Sequence, residues 1–322
     1  MAQLATSATT AGVRRLLCLH GYTQNATVFR KRTAVLRKDI SALCELTFVT
    51  APHRVEVDPP KRPEALGTSS VLERPVGRGD AGRTALQDDP EGPRAWWVAS
   101  DCGSLYQGLE ESLEMLSQVW VSQGPFDGII GFSQGATMAW LLAGHLHRTA
   151  RTTKSHSLSP STNTIGHEAS KGPLVTDASS LPVLVMSISG FVPRSDIGLA
   201  LVNDALLAQV NGLHIIGRSD TWVDPSRSEQ LAMMLQSLCP SQPKTVSDLH
   251  PVLNSQTAAP LTLQNRELIS CEDPSGSAAK SLDYAESNSQ CIFFHDGGHF
   301  VPTDAVMRQK IRQYLTERFS QK

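Results

Sequence analysis

Short apolar runs alternate with helical periodicity along this chain of 322 residues. The runs RLLCLH (15–20), ELTFVTA (45–51), FDGIIGF (126–132), PVLVMSIS (182–189), LHIIG (213–217) and CIFFH (291–295) are bounded by turn residues, the pattern of buried strands. Leu105, Leu109, Leu113, Leu116 and Trp120 recur at helical steps, which predicts one apolar-striped helix with Ser104 as its N-cap. Further helices are predicted over 136–147, 226–238 and 303–319, the last capped by Thr303. Strands and helices in alternation predict an α/β fold, with a predominantly parallel sheet of about six strands flanked by helices.

Some stretches break the alternation. Residues 1–13 read as a short disordered tail ahead of one domain spanning 14–322. Residues 149–180 and roughly 240–289 are rich in Ser, Thr and Pro and short of large apolar side chains. Such segments bury too little surface to offset their ordering entropy, so both are expected to loop out as polar insertions. Residues 58–94, rich in Pro, Gly and charge, precede the pair Trp96-Trp97.

Composition narrows the function only by exclusion. With 29 basic against 31 acidic residues, no global field would recruit nucleic acid. No run has the length of a membrane span. The six cysteines are scattered without a CxxC pair, which fits reduced thiols in a cytoplasmic protein, the nucleus being an open alternative. Oligomeric state is not legible.

The chemistry concentrates at Gly131-Phe132-Ser133-Gln134-Gly135, where an apolar strand gives way to a helix. A serine between two glycines at such a junction is the setting of a nucleophile elbow, and the following helix aims its N–H groups at the site. A bare turn with a capping serine is the plain alternative. A nucleophile needs an acid and a base later in the chain. Asp220, just past the strand 213–217, is the candidate acid, ahead of Asp196 and of Asp224, whose place before Pro225 suits a helix cap. His299, on the glycine-rich turn HDGGHF, is the candidate base. His295 is expected to end the strand with its ring held by a local hydrogen bond, and Gly297-Gly298 argue against a helical HxxxH metal site. Gly21, after the first strand, would let the Tyr22 N–H approach and join the Gln134 N–H as oxyanion donors, with His20 structural. No cofactor or metal is called for.

The segments LCLHGYTQNATVFRKRTAVLRK, APH, AWW, YQGLEESLEML, GPFDGIIGFSQGA, SGF-P, GRSD and HDGGHFVP together resemble the FSH-type serine hydrolases of the α/β-hydrolase fold. Within that family the likeness is to the eukaryotic esterases named after an ovarian tumour suppressor candidate. The resemblance implies an acyl-ester hydrolase with Ser133, Asp220 and His299 as its triad. The chain departs in its two polar insertions and in Asp224-Pro225, where relatives often carry consecutive prolines. A thioesterase using the same machinery, and an inactive scaffold of hydrolase fold, are the alternatives. Trp96, Trp97, Phe191 and Phe300 are candidate walls of a pocket for a small-molecule ester, with filling of the core beneath the loops the plain alternative, above all for Trp96 and Trp97. Arg194 is the only strong cation among the nearest motif residues. Such walls favour an uncharged acyl chain.

Overall fold

A computed structural model describes residues 12–56, 91–156, 181–238 and 290–320. The expected insertion 240–289 lies outside these residues, as do all but the first eight positions of 149–180. Six strands form the main sheet: β1 (Arg14–Leu19), β2 (Cys44–Val49), β3 (Gly128–Phe132), β4 (Leu184–Ile188), β5 (Asn211–Gly217) and β6 (Gln290–His295). They pair in the order β6-β5-β4-β3-β1-β2, every pair parallel. All six apolar runs of the sequence are strands.

The period-two alternation of β1 explains the layers. Leu17 and Leu19 join one buried cluster and Leu16 and Cys18 the other, on opposite faces of the sheet. The first face is covered by α3 (Leu109–Gln123), α4 (Gln134–His156), α5 (Asp196–Val202) and α6 (Pro225–Leu238). The second is covered by α1 (Ala26–Arg32), α2 (Ala34–Ile40) and α7 (Ala305–Ser320). Both faces being buried, β3 and β4 are buried at every residue, so their sequences read as continuous apolar runs. Strand order reverses at β1, which opens a crevice at the C-terminal ends of β1 and β3.

Three helix boundaries differ from expectation. The stripe helix begins at Leu109 rather than Leu105, because Gly108 sits at φ +84 and ends the preceding turn. Tyr106–Gln107 instead pair with Val98–Ala99 as a short antiparallel ladder, and Leu105 is exposed. Ser104 therefore caps nothing. Helix α4 continues to His156, into the segment read as an insertion. At α7 the cap is Asp304, whose Oδ1 accepts the Met307 N–H at 2.8 Å, not Thr303. Cys18, Cys44, Cys102 and Cys291 are free thiols; Cys239 and Cys271 lie outside the described residues.

Helix α4 touches α5 at a glycine. A β-carbon on Gly144 would overlap the Leu201 carbonyl oxygen and lie 3.1 Å from its carbon. Gly to Ala within a helix ordinarily stabilises by about 1 kcal/mol. Here the sign should reverse: Gly144→Ala is expected to destabilise by about 1–3 kcal/mol, measured by urea unfolding. A gain in stability would show that the two helices can separate freely.

Candidate active site

The turn from β3 into α4 is too tight for side chains on either side of Ser133. A β-carbon on Gly131 would sit 2.5 Å from the Ala136 Cα, and one on Gly135 would sit 2.6 Å from the Leu19 carbonyl carbon. Ser133 itself adopts φ +53, a left-handed conformation unfavourable for a residue with a β-carbon. Its N–H is held by the Ile188 carbonyl at 2.8 Å, so β4 pins the turn from the side. The first N–H groups of α4 face the same end of the sheet, where helix geometry leaves them without intrahelical acceptors.

Two loops from the far side of the sheet meet this serine. His299 Nε2 lies 2.9 Å from Ser133 Oγ, and His299 Nδ1 lies 2.7 Å from Asp220 Oδ2. The other carboxylate oxygen of Asp220 accepts the Trp222 and Val223 N–H groups, each at 2.9 Å. Burial by itself would raise the Asp220 pKa, but the hydrogen bond and charge of His299 and these two N–H donors outweigh it, and the net direction is down. An ionised Asp220 assigns the Nδ1 proton to His299 and leaves Nε2 free to accept from the serine. The imidazole also lies against the Phe132 ring, centroids 4.8 Å apart.

The competing residues are engaged elsewhere. Asp224 Oδ1 accepts the Ser226 N–H at the start of α6, and Asp196 opens α5 behind its cap Ser195. His295 ends β6, but its Nε2 is buried without the hydrogen-bond partner expected of it. Burial holds its pKa down despite the carboxylates of Asp304, Asp220 and Asp296.

The turn after β1 completes the arrangement. A β-carbon on Gly21 would meet the Phe132 ring at 2.9 Å and the Ser133 Cβ at 3.3 Å, so the backbone leading to Tyr22 runs against the serine. His20 is structural: Nδ1 pairs with the Gly21 carbonyl at 2.8 Å and Nε2 accepts the Ala51 N–H at 2.9 Å. The side chain of Gln134 carries a role that sequence reasoning missed. Its Oε1 accepts the Trp96 N–H at 2.9 Å, its Nε2 donates to the Trp97 carbonyl at 2.8 Å, and Trp96 Nε1 donates to the His20 carbonyl at 2.8 Å. Gln134 thus ties the β1 turn, the tryptophan pair and the elbow into one unit; a glutamine after the serine, with buried polar demands to meet, was the available signal.

The expected pocket walls need correction. Trp96 and Trp97 are sealed in the core at 0% and 2% exposure, Trp97 stacked on Tyr106 at 4.7 Å, and neither offers a face to a ligand. Phe191 is half-buried, its backbone N–H and carbonyl both bonded to Thr137 Oγ1. Arg227 lies over its ring at 4.8 Å, so Arg194 is not the only cation nearby. Among the described residues the exposed large aromatics are Tyr22, Phe300 and, at 77% exposure, Trp222, which follow Gly21, His299 and Asp220 within two positions along the chain. A groove of about 400 Å³ between Ser104–Glu111 and Ser195–Ile197 is lined by none of Ser133, Asp220 and His299.

The model of the family described as serine hydrolase (FSH1) matches residues 10–246. The chain belongs to the FSH1 serine hydrolase family. The matched span of this serine hydrolase includes Ser133 and Asp220 and stops short of His299. Among curated relatives, the chain is 30% identical to Esterase OVCA2 of Homo sapiens over 314 residues, covering 94% of this chain and 96% of that one. It is 27% identical to Esterase CG5412 of Drosophila melanogaster over 226 residues, 68% of this chain and 62% of the relative's length. Among solved structures, acyl-protein thioesterase 2 of Zea mays superposes with a TM-score of 0.47 at 13% identity, covering 97% of this chain and 96% of that one.

Two deeply buried histidines, His20 and His214, make stability depend on acid pH. Burial lowers His20 to a pKa of about 4, and likewise His214, which is packed on Trp140 and bonded to Gln290 at 3.0 Å. Folded pKa values below the ordinary 6.5 mean that the unfolded chain binds more protons between about pH 6.5 and 4. Their contribution to stability is full above about pH 6.5 and falls as pH drops towards 4. The urea midpoint should be lower at pH 5 than at pH 7; an unchanged midpoint would refute neutral burial of these rings.

Proposed function

We propose that the protein hydrolyses carboxylic esters through an acyl-enzyme, with Ser133 as nucleophile, His299 as base and acid, and Asp220 as the group orienting the imidazole. The observation that carries this reading is the continuous relay Asp220–His299–Ser133, at 2.7 and 2.9 Å. Strain at Ser133 supports it, since a left-handed serine in a turn without room for side chains is a costly way to make a simple cap. The name esterase borne by the relatives points the same way.

Ser133 Oγ attacks the ester carbonyl while His299 Nε2 takes its proton, and negative charge forms on the carbonyl oxygen. The backbone N–H groups of Tyr22 and Gln134 donate to that oxygen. His299 returns the proton to the leaving alcohol, and the acyl group stays on Ser133. Water, deprotonated by His299, then attacks the acyl-enzyme, releasing the acid and restoring the serine.

Ser133→Ala should leave the fold intact and reduce turnover by a factor of order 10⁶, by analogy with a subtilisin-type serine. Persistent labelling of the variant by a fluorophosphonate probe would sink the assignment. Asp220→Asn should cost about 10⁴ in turnover, as loss of the correct tautomer does in trypsin-type enzymes. Asp224→Asn, which removes only a turn contact, should cost about tenfold or less; the reverse order would transfer the acid to Asp224.

The substrate class follows from the exposed aromatics. The Trp222 backbone N–H is anchored to Asp220, and Phe300 follows His299 with its ring 5.2 Å from that of His295, so both exposed residues flank the loops that carry the relay. They suit an uncharged acyl or alkyl chain, each methylene of which gains about 0.8 kcal/mol on full burial. For p-nitrophenyl esters from acetate to palmitate, kcat/KM should rise several-fold per two carbons until the surface is filled. A flat profile would remove the argument, and a strong preference for matched acyl-CoA esters would favour a thioesterase.

A further inference from the structure

Asp220 and His299 belong to loops that leave neighbouring strands, and their separation must be fixed by more than the bond between them. Strands β5 and β6 pair in register up to Gly217 and His295. Beyond that point the pairing continues between the two loops. The Arg218 N–H donates to the His295 carbonyl at 2.8 Å and the Ser219 N–H donates to the Gly297 carbonyl at 3.1 Å. Ser219 Oγ donates to the Asp296 carbonyl at 3.0 Å, and Arg218 pairs with Asp296 at 3.9 Å. On the Gly217 side the loops touch backbone to backbone: a β-carbon there would lie 2.6 Å from both the Gly297 and the Gly298 carbonyl oxygens.

We propose that Gly217 and Ser219 are positioning residues for the reaction, clamping the loop that carries Asp220 to the loop that carries His299. The clamp rests on the reading of Ser133, His299 and Asp220 as the catalytic relay. It explains two features that the relay itself does not. Gly217 has a backbone angle that any residue can adopt, so its glycine is required by space and not by conformation. Ser219 is exposed, yet its hydroxyl is spent on a backbone carbonyl three residues before the base. A clamp of this kind holds the imidazole in place after it gains the serine proton, when the Asp220–His299 bond alone would have to fix it.

The test compares Gly217→Ala with Gly212→Ala in the full-length enzyme. Gly212 lies at the other end of β5, where a β-carbon would overlap the Gln290 side chain. Both variants should lower the unfolding midpoint. Only Gly217→Ala should lower kcat, by about 100-fold for a displacement near 1 Å, with KM within about twofold of native. The downfield proton resonance of the His299 Nδ1–H, shared with Asp220, should shift or vanish in Gly217→Ala and persist in Gly212→Ala. Ser219→Ala adds no atoms and carries the test if Gly217→Ala fails to fold; kcat should fall about three- to tenfold, the scale of one hydrogen bond, and Ser219→Thr should restore it. Native kcat in either folded variant, or an equal loss in Gly212→Ala, overturns the role of the residue concerned. Asp220→Asn, assayed in parallel, separates the two levels: if it keeps native turnover the relay reading fails, whereas if it is inactive while Gly217→Ala and Ser219→Ala are native, only the clamp fails.

Discussion

The site depends on one close approach of backbones, in which the start of α4 lies against the carbonyl end of β1. Gly135 touches the Leu19 and His20 carbonyls directly, and Gly131 touches the backbone of Gly135 and Ala136. Without side chains at these two positions, β3 can turn into α4 within a single residue, and that residue is forced into a left-handed conformation. The same contact brings Gly21 within reach of Ser133 and sets the first N–H groups of α4 beside it. Ser133, the proposed oxyanion donors and the helix dipole therefore owe their placement to a common origin. Any side chain that forces β1 and α4 apart would disturb all of them together.

The electrostatics follow from burial combined with donors. Asp220 is almost enclosed, which alone would favour its neutral form, yet two backbone N–H groups and His299 hold it ionised. His20 is enclosed in the same way without a counter-charge, and it is neutral, its ring spent on the Gly21 carbonyl and the Ala51 N–H. Two polar residues that follow different strands at the same edge of the sheet, Asp220 after β5 and His20 after β1, thus differ in charge because their neighbours differ. Only the one bonded to His299 is charged.

Much of this was legible in the sequence wherever a physical rule acts locally. Strands buried on both faces give uninterrupted apolar runs, and all six were readable for that reason. Glycines flanking a serine between strand and helix marked the tight turn at Ser133, and position just past a strand end pointed to Asp220 rather than Asp224 as the residue bonded to His299. What failed depended on contacts across the chain. Leu105 fits the spacing of the stripe, but Gly108 is held in a left-handed turn against His53, and nothing in the spacing reports that. Trp96 and Trp97 have the composition of pocket walls and are instead core, because Gln134 draws their backbone inward. The Ser219 hydroxyl was equally hidden, since its acceptor lies 77 residues away.

The parallel sheet itself dictates where such long-range partners meet. With all strands running the same way, His20, Ser133, Ser189, Arg218 and Asp296 each follow a strand at the same edge, although β1 and β6 lie more than 250 residues apart in sequence. Chain distance is converted into lateral strand position, and β4 separates the serine strand from the acid strand. His299 must cross that width from β6 to reach Ser133, and its glycine-rich approach, Gly297-Gly298, is the length of loop that spans it. A loop long enough to cross two strands has conformational freedom to lose, and its backbone contacts with Arg218 and Ser219 remove it. The reach of His299 and its immobilisation are thus opposing demands on one segment, met by pairing that segment to the loop beside it.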